Sequence, residues 1–212
     1  MTFSKESLPF VLPPGLLAVA LLALGAPWSS LAAAIGAVGA LLFFRIPTRT
    51  FDGPTEVLVA PANGLVTRVD SVVDESVGKG EMHRVVVFLS VFDVHIQRSP
   101  VAGEVVVSRH TPGRKVAAFR PEAGEVNENH LTVLRDSKGD LFAVKQIAGL
   151  LARRVVAYQR VGSHVRRGQL IGLIKFGSRV DLLVPSSYRI DVQKGDRLRE
   201  GETPVARPES TA

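Results

Sequence analysis

The chain has 212 residues, a formal net charge of +6 and no cysteine. That is room for one membrane element and one compact domain. The lack of cysteine excludes disulfides, thiol nucleophiles and thiolate metal sites. From Ser7 to Phe44 there is no charged residue. Leu16 to Leu24 and Leu31 to Phe44 are the helical candidates within this run, broken by Gly25-Ala26-Pro27. One spanning helix takes about 20 apolar residues, so the sequence predicts an N-terminal hydrophobic helical hairpin, re-entrant or tightly turned. Trp28 and Arg45 suit the membrane interface. A cleaved signal peptide fits less well, because the run is long and Lys5, the only Lys or Arg before it, is offset by Glu6. Arg45 and Arg49 follow the run and place the next domain on the cytoplasmic side. Residues 1–50 carry a net +2, leaving +4 for the rest. That mild excess reads either as attraction to anionic headgroups or as plain solubility.

Residues 51–212 read as mostly strand. VLVAPANGLVTRV, HRVVVFLSVFDVHIQRS, GEVVVSRH, LFAVKQIAG, GQLIGLIKF and DLLVP are rich in Val, Leu and Phe and punctuated by Gly, Pro and Asn. Turns at short spacing predict a mainly β domain with a few short helices, a compact antiparallel barrel or sandwich. The expected helix is Ile147 to Tyr158, where Ile147, Leu150, Leu151 and Val155 fall at helical spacing. Glu122 to His130 reads as loop, and the terminal RPESTA as a frayed tail. A V-x-x-G pattern recurs at Val165 and Val192, as in carrier-type barrels of the lipoyl or biotinyl kind.

The five histidines show no H-E-x-x-H spacing, and no metal is assigned. His95 lies in FDVHIQRSP. In a strand, Asp93, His95 and Gln97 would share one face, and the acid could orient the ring; the same spacing also fits a polar surface ladder. Arg98 would face the other way, or turn in if the strand ends before Pro100. Pro61-Ala62-Asn63-Gly64 needs nothing beyond a hairpin turn. In KFGSRVD, Gly177-Ser178 sits between the apolar runs LIGLI and LLVP. It could be a simple turn. A serine after glycine in a tight turn can also attack the preceding carbonyl, since glycine leaves the approach open and tolerates unusual backbone angles.

Several stretches together resemble the phosphatidylserine decarboxylase proenzymes, especially the short bacterial and archaeal type: FFRIP (43–47), APANG (60–64), VFDVHIQRSPVAGEV (91–105), QIAGLLARR (146–154) and LIGLIKFGSRVDLLVP (170–185). The resemblance implies self-cleavage at Gly177-Ser178 into a β chain, 1–177, and an α chain, 178–212, which stay together as a heterodimer. Ser178 would become a covalent pyruvoyl group, the electron sink for decarboxylating phosphatidylserine to phosphatidylethanolamine. His95 would supply the acid, with Asp93 and Arg98 as possible supports. Residues 1–50 would associate with the membrane and 51–212 would be the catalytic domain on its cytoplasmic face. The partners implied are a phospholipid and the membrane, with no nucleic acid.

Two positions depart from the family pattern. Asn63 stands where an aspartate is usual, which is expected to slow maturation. Asn127-Glu128-Asn129-His130 lacks an expected arginine, a role His130 could partly fill. An archaeal ether lipid bearing a serine headgroup is a related substrate. The other readings are a lipoyl- or biotinyl-type carrier modified at Lys175, and a family member that binds lipid but never matures.

Overall fold

Ala and Leu dominate the uncharged run, and both are strong helix formers. The computed structural model describes residues 1–78, 80–150, 154–175 and 177–209. In it the run forms α1 (Leu8–Ala23) and α2 (Pro27–Phe43). Helix α1 starts earlier than predicted: Pro9 occupies its first turn, where no N–H is needed, while Pro13 and Pro14 lie inside it. The two helices form a hairpin, and Ser30 Oγ donates to Ala18 O at 2.7 Å. Short strands β1 (Thr2–Phe3) and β2 (Arg45–Ile46) pair and join its ends. Leu16, Val19, Leu22, Trp28 and Ile35 are exposed. Residues Lys5–Ala23 are long and apolar enough to cross a membrane. These elements make up a first unit, Met1–Thr48.

The second unit, Arg49–Ala212, is mainly β. In order it contains β3 (Leu58–Val59), β4 (Gly64–Val73), β5 (Glu81–Leu89), β6 (Ile96–Arg98), β7 (Gly103–Thr111), the short α3 (Ala123–Val126), β8 (Asn129–Arg135) and β9 (Leu141–Ala148). There follow β10 (Val155–Ala157), β11 (His164–Val165), β12 (Leu170–Ile174), β13 (Ser178–Pro185), β14 (Tyr188–Ile190), β15 (Arg197–Leu198) and β16 (Pro204–Pro208). Eight strands make one curled antiparallel sheet in the order β11-β7-β8-β9-β13-β5-β4-β15. Two three-stranded sheets, β10-β12-β6 and β14-β16-β3, complete the domain.

Strand alternation builds the core. Val180, Leu182 and Val184 of β13 pack with Val85, Val87 and Leu89 of β5, Phe142 and Val144 of β9, Ile171 and Ile174 of β12, and Val205 of β16. On the opposite face Leu183 joins a smaller cluster with Met82, Leu131, Val133 and Ala143. This is the expected mainly β fold after a hydrophobic helical hairpin.

Three local expectations are corrected. Ile147 belongs to β9 and Val155 begins β10, so the helix predicted over Ile147 to Tyr158 is replaced by strand at both ends; 151–153 lie outside the described residues. An apolar run buried in a sheet mimics helical spacing once both its faces are covered. The loop read over Glu122 to His130 contains α3 and the first residues of β8. The terminal tail starts as strand: Arg207 and Pro208 pair with Arg189 and Tyr188 in β14.

Candidate active site

Strand β13 begins at Ser178, between Leu89 of β5 and Ala148 of β9. Because side chains alternate, Ser178 shares a face with Val180 and Leu182 and points into the main core. It is fully buried. Its Oγ has no hydrogen-bond partner among the described residues. A buried hydroxyl left this way costs about 1–3 kcal/mol, which a plain hairpin would have no reason to bear.

The residue before it is equally particular. Gly177 has φ +58°, in the left-handed region that side chains disfavour. A Cβ at Gly149, the residue after β9, would lie 2.3 Å from Gly177 O, so the two backbones touch only because position 149 is glycine. Phe176 lies outside the described residues.

His95 meets this junction from the side. It is fully buried and directly precedes β6. Its Nδ1 is 2.8 Å from Asp93 O, and its Nε2 is 3.3 Å from Gly177 N. A carbonyl can only accept and an amide N–H can only donate, so this geometry requires the neutral ring with its proton on Nδ1. Nε2 is then the basic atom, and it faces the Gly177-Ser178 segment. The backbone around the ring is fixed as well. His95 O accepts from Ile174 N at 3.1 Å and from Gln97 Nε2 at 3.0 Å, and Gln97 Oε1 accepts from Gln146 Nε2 at 2.7 Å. Glutamines 97 and 146 are both fully buried. The sequence reading placed Gln97 beside His95 but missed Gln146, which pairs across β13 with Val180.

Asp93 does not lie on a strand face with His95, because β6 starts only at Ile96. Its backbone carbonyl, not its carboxylate, holds the ring. The carboxylate accepts from Ser90 N at 2.8 Å and Ser90 Oγ at 2.7 Å, with Arg197 3.7 Å away. Arg98 turns inward: its Nη1 donates to Gly168 O at 2.8 Å, and its backbone N–H to Pro61 O at 2.9 Å. Burial pulls the pKa of its guanidinium down, against the pull of Glu200. Asn63 Oδ1 accepts from the backbone N–H of Glu200 at 2.8 Å. Glu200 is fully buried and lies 3.2 Å from Arg49 Nε; burial raises its carboxyl pKa, with Arg49 opposing. The turn holding Asn63 is at the same end of the sheet as Ser178, since Gly64 abuts Phe88 O next to Leu89. His130 is buried in β8 with Nε2 3.1 Å from Ser108 Oγ. Lys175 is half-buried after β12, and its backbone N–H donates to Arg154 O at 3.2 Å.

The charged pair after the serine has its own explanation. Arg179 and Asp181 are both buried, on the face of β13 opposite Ser178. They form a bidentate pair, Nε to Oδ1 at 2.6 Å and Nη2 to Oδ2 at 2.7 Å. Arg179 Nη1 also donates to Pro121 O at 3.3 Å, tying the segment before α3 onto the strand. A cleft of about 600 Å³ lies on this face, lined by Arg68, Arg84, Glu125, Lys145, Arg179 and Asp181. Its charges are of both signs, and the Ser178 hydroxyl points away from it.

An antiparallel β domain thus sets a buried serine hydroxyl, with no hydrogen-bond partner among the described residues, after a left-handed glycine and beside a neutral imidazole. The comparisons are specific. The family model for phosphatidylserine decarboxylase matches residues 40–206. The phosphatidylserine decarboxylase proenzyme of Rhodococcus jostii (strain RHA1) is 44% identical over 202 residues, covering 94% of this chain and 84% of that protein. The corresponding proenzyme of Symbiobacterium thermophilum is 42% identical over 205 residues, 96% and 94% of the two chains. That of Geotalea uraniireducens (strain Rf4) is 38% identical over 202 residues, 94% and 93%. The chain belongs to the phosphatidylserine decarboxylase family and is a decarboxylase. The carrier reading at Lys175 is thereby set aside.

Proposed function

We propose that the chain is a proenzyme that cuts itself at Gly177-Ser178 and then, at a membrane surface, decarboxylates phosphatidylserine to phosphatidylethanolamine. The observation that carries this reading is the buried, partnerless Ser178 Oγ beside Gly177, with the basic Nε2 of His95 on the same segment. In the maturation step Ser178 Oγ attacks Gly177 C, and its proton passes to His95 Nε2. The Gly177 N–H must let go of Nε2 as this happens, and a contact of 3.3 Å is a weak one to release. The C–N bond breaks, the Ser178 nitrogen takes up the proton, and an ester replaces the amide. Loss of the Ser178 Cα proton then expels the Gly177 carboxylate and leaves a dehydroalanine. Tautomerisation and hydrolysis, with uptake of water and release of ammonia, leave a pyruvoyl group at residue 178.

The surroundings fit such a group. Residue 178 is enclosed by Leu89 and Ala148, and Gly149 and Gly177 keep the backbone free of side chains. When present, the group supplies a ketone that takes up the substrate amine and draws electrons from Cα as CO2 leaves. His95, tethered through Nδ1 to Asp93 O, holds Nε2 in place to take up a proton from solvent and deliver it to that carbon. Gln97 and Gln146 fix the backbone on which the ring sits. Asn63 and Arg98 brace the turns at this end, and Asp93 carries the tether.

The fragments 1–177 and 178–212 would stay together as a heterodimer. Strand β13 is paired on both sides by strands of the larger fragment, and β15 and β16 pair with β4 and β3. The apolar helices of residues 1–48 support membrane association, and Arg45 and Arg49 a cytoplasmic catalytic domain. The test is a denaturing gel and mass spectrum of the purified protein, with a turnover assay on phosphatidylserine vesicles. Expected are two fragments that meet at Gly177/Ser178, and phosphatidylethanolamine as product. A single uncut chain that binds the lipid without converting it would leave the non-maturing reading instead.

A further inference from the structure

Ser178, Leu89 and Ala148 lie side by side at one end of the curled sheet. The chain leaves β5 there into residues 90–94 and leaves β9 there into Gly149 and Leu150. Residues 112–122 are tied to the same end. Asn127 Oδ1 accepts from Val116 N at 3.0 Å, and its Nδ2 donates to Val116 O at 2.8 Å and to Ala148 O at 2.6 Å. A Cβ built on Gly149 would lie 3.1 Å from Ala118 Cβ.

Each of these segments displays a large apolar side chain. Phe92 is 85% exposed, Phe119 73% and Leu150 66%. Single exposed apolar residues are ordinary, but three from separate loops at one end of a domain are not. Charge follows the same distribution. The described residues of segments 90–94, 112–122, 149–154 and 175–177 include five Lys and Arg against two acids. Of these, Arg114, Lys115, Arg120 and Arg154 are exposed. Gly177 is itself partly exposed while Ser178 is not, so the junction opens to solvent at this end.

We propose that the loops around the junction form a lipid-docking rim of the catalytic unit. Phe92, Phe119 and Leu150 enter the boundary between headgroups and acyl chains of a phosphatidylserine-containing bilayer, and Lys115 and Arg154 lie at headgroup level. Apolar tips ringed by cations fit an anionic interface, each side chain contributing through the area it buries and each cation through the surface potential. The proposal rests on the reading of a bilayer phospholipid as substrate. It adds that the domain brings its own opening to the lipid: acyl chains cost about 0.8 kcal/mol per CH2 to draw into water, so the headgroup has to be met in place.

The experiment compares the full chain with the variant Phe92→Ser/Phe119→Ser/Leu150→Ser on two substrates. One is phosphatidylserine in phosphatidylcholine vesicles; the other is dihexanoyl-phosphatidylserine below its micellar concentration. The variant is expected to self-cleave and to handle the soluble substrate like the parent, and to lose about tenfold or more on vesicles, as the buried apolar area implies. Equal vesicle rates, or an equal loss on both substrates, would overturn the rim. Parent protein inactive on both substrates would overturn the substrate reading instead, and a binding measurement then decides the rim. For that, Phe119→Trp in a Trp28→Phe background is mixed with the same vesicles containing brominated lipid. A blue shift with quenching supports docking, and unchanged emission overturns it.

Discussion

On one face of β13 the Arg179 guanidinium and the Asp181 carboxylate are buried and hold each other through two short hydrogen bonds. On the other face, one residue upstream, the Ser178 hydroxyl is just as buried and has no partner among the described residues. Both are polar groups placed in a dry interior, where a missing partner costs stability. The first is fully satisfied and needs only a structural account, bracing the strand and the segment before α3. The second is left unsatisfied, as are Gln146 Oε1 and Glu200 Oε2 among the described residues, and each such group in a native core needs its own explanation. Satisfaction separates the brace from the group proposed to react; what singles out Ser178 among the unsatisfied groups is the left-handed Gly177 before it and His95 Nε2 on the same segment.

The sharpest way to break this comparison is Ser178→Ala. A methyl group cannot attack Gly177, so the 178–212 fragment should vanish from a denaturing gel. Because the hydroxyl has no partner to lose, a thermal melt should show the variant at least as stable as the uncut parent. A marked fall in stability would mean that the serine is part of the brace after all.

Asp181→Ala tests the other face. Removing one partner strands a buried guanidinium and should cost about 3–5 kcal/mol, read as a lower denaturant midpoint. The junction on the opposite face is untouched, so whatever folds should still cut itself. Unchanged stability would remove the pair from its bracing role. His95→Ala comes third. Loss of a positioned base should slow fragment formation by about 10²- to 10⁴-fold, with the fold retained. A wild-type time course in that variant would reduce the His95–Gly177 contact to packing.

Much of this was legible in the sequence, and the parts that were not share a cause. The uncharged run and its Gly25-Ala26-Pro27 break are local signals, and they gave the hairpin. The period-two pattern of β13 is also local, and so is the Gly177-Ser178 junction. Position 93 misled because the atom that holds His95 is a backbone carbonyl, which leaves no mark on residue type. Gln146 was missed because its partner, Gln97, is 49 residues away, and nothing within either segment announces the pairing. QIAGLLARR misled for a third reason: Ile147 and Ala148 belong to a strand enclosed on both faces, and enclosure erases the alternation that would have distinguished strand from helix.

Asn63 is where the comparison is tested most finely, because its Oδ1 is paired yet it lies at the same end of the sheet as Ser178. Its Oδ1 accepts from Glu200 N, and an aspartate oxygen could accept the same bond. Asn63→Asp should therefore fold like the parent, since either residue also suits the turn. What changes is that the Nδ2 amide becomes a second carboxylate oxygen and adds negative charge at the end of the sheet where, in the proposed maturation step, His95 becomes cationic as it takes the Ser178 proton. A through-space charge favours that cation without touching it. The expected gain in the rate of fragment formation is accordingly small, about tenfold or less, well under the cost of losing a base. A time course of the 178–212 fragment in the two proteins reads it directly. Equal rates would place Asn63 with Arg179 and Asp181, among the groups whose bonds are complete and whose work is to hold the chain.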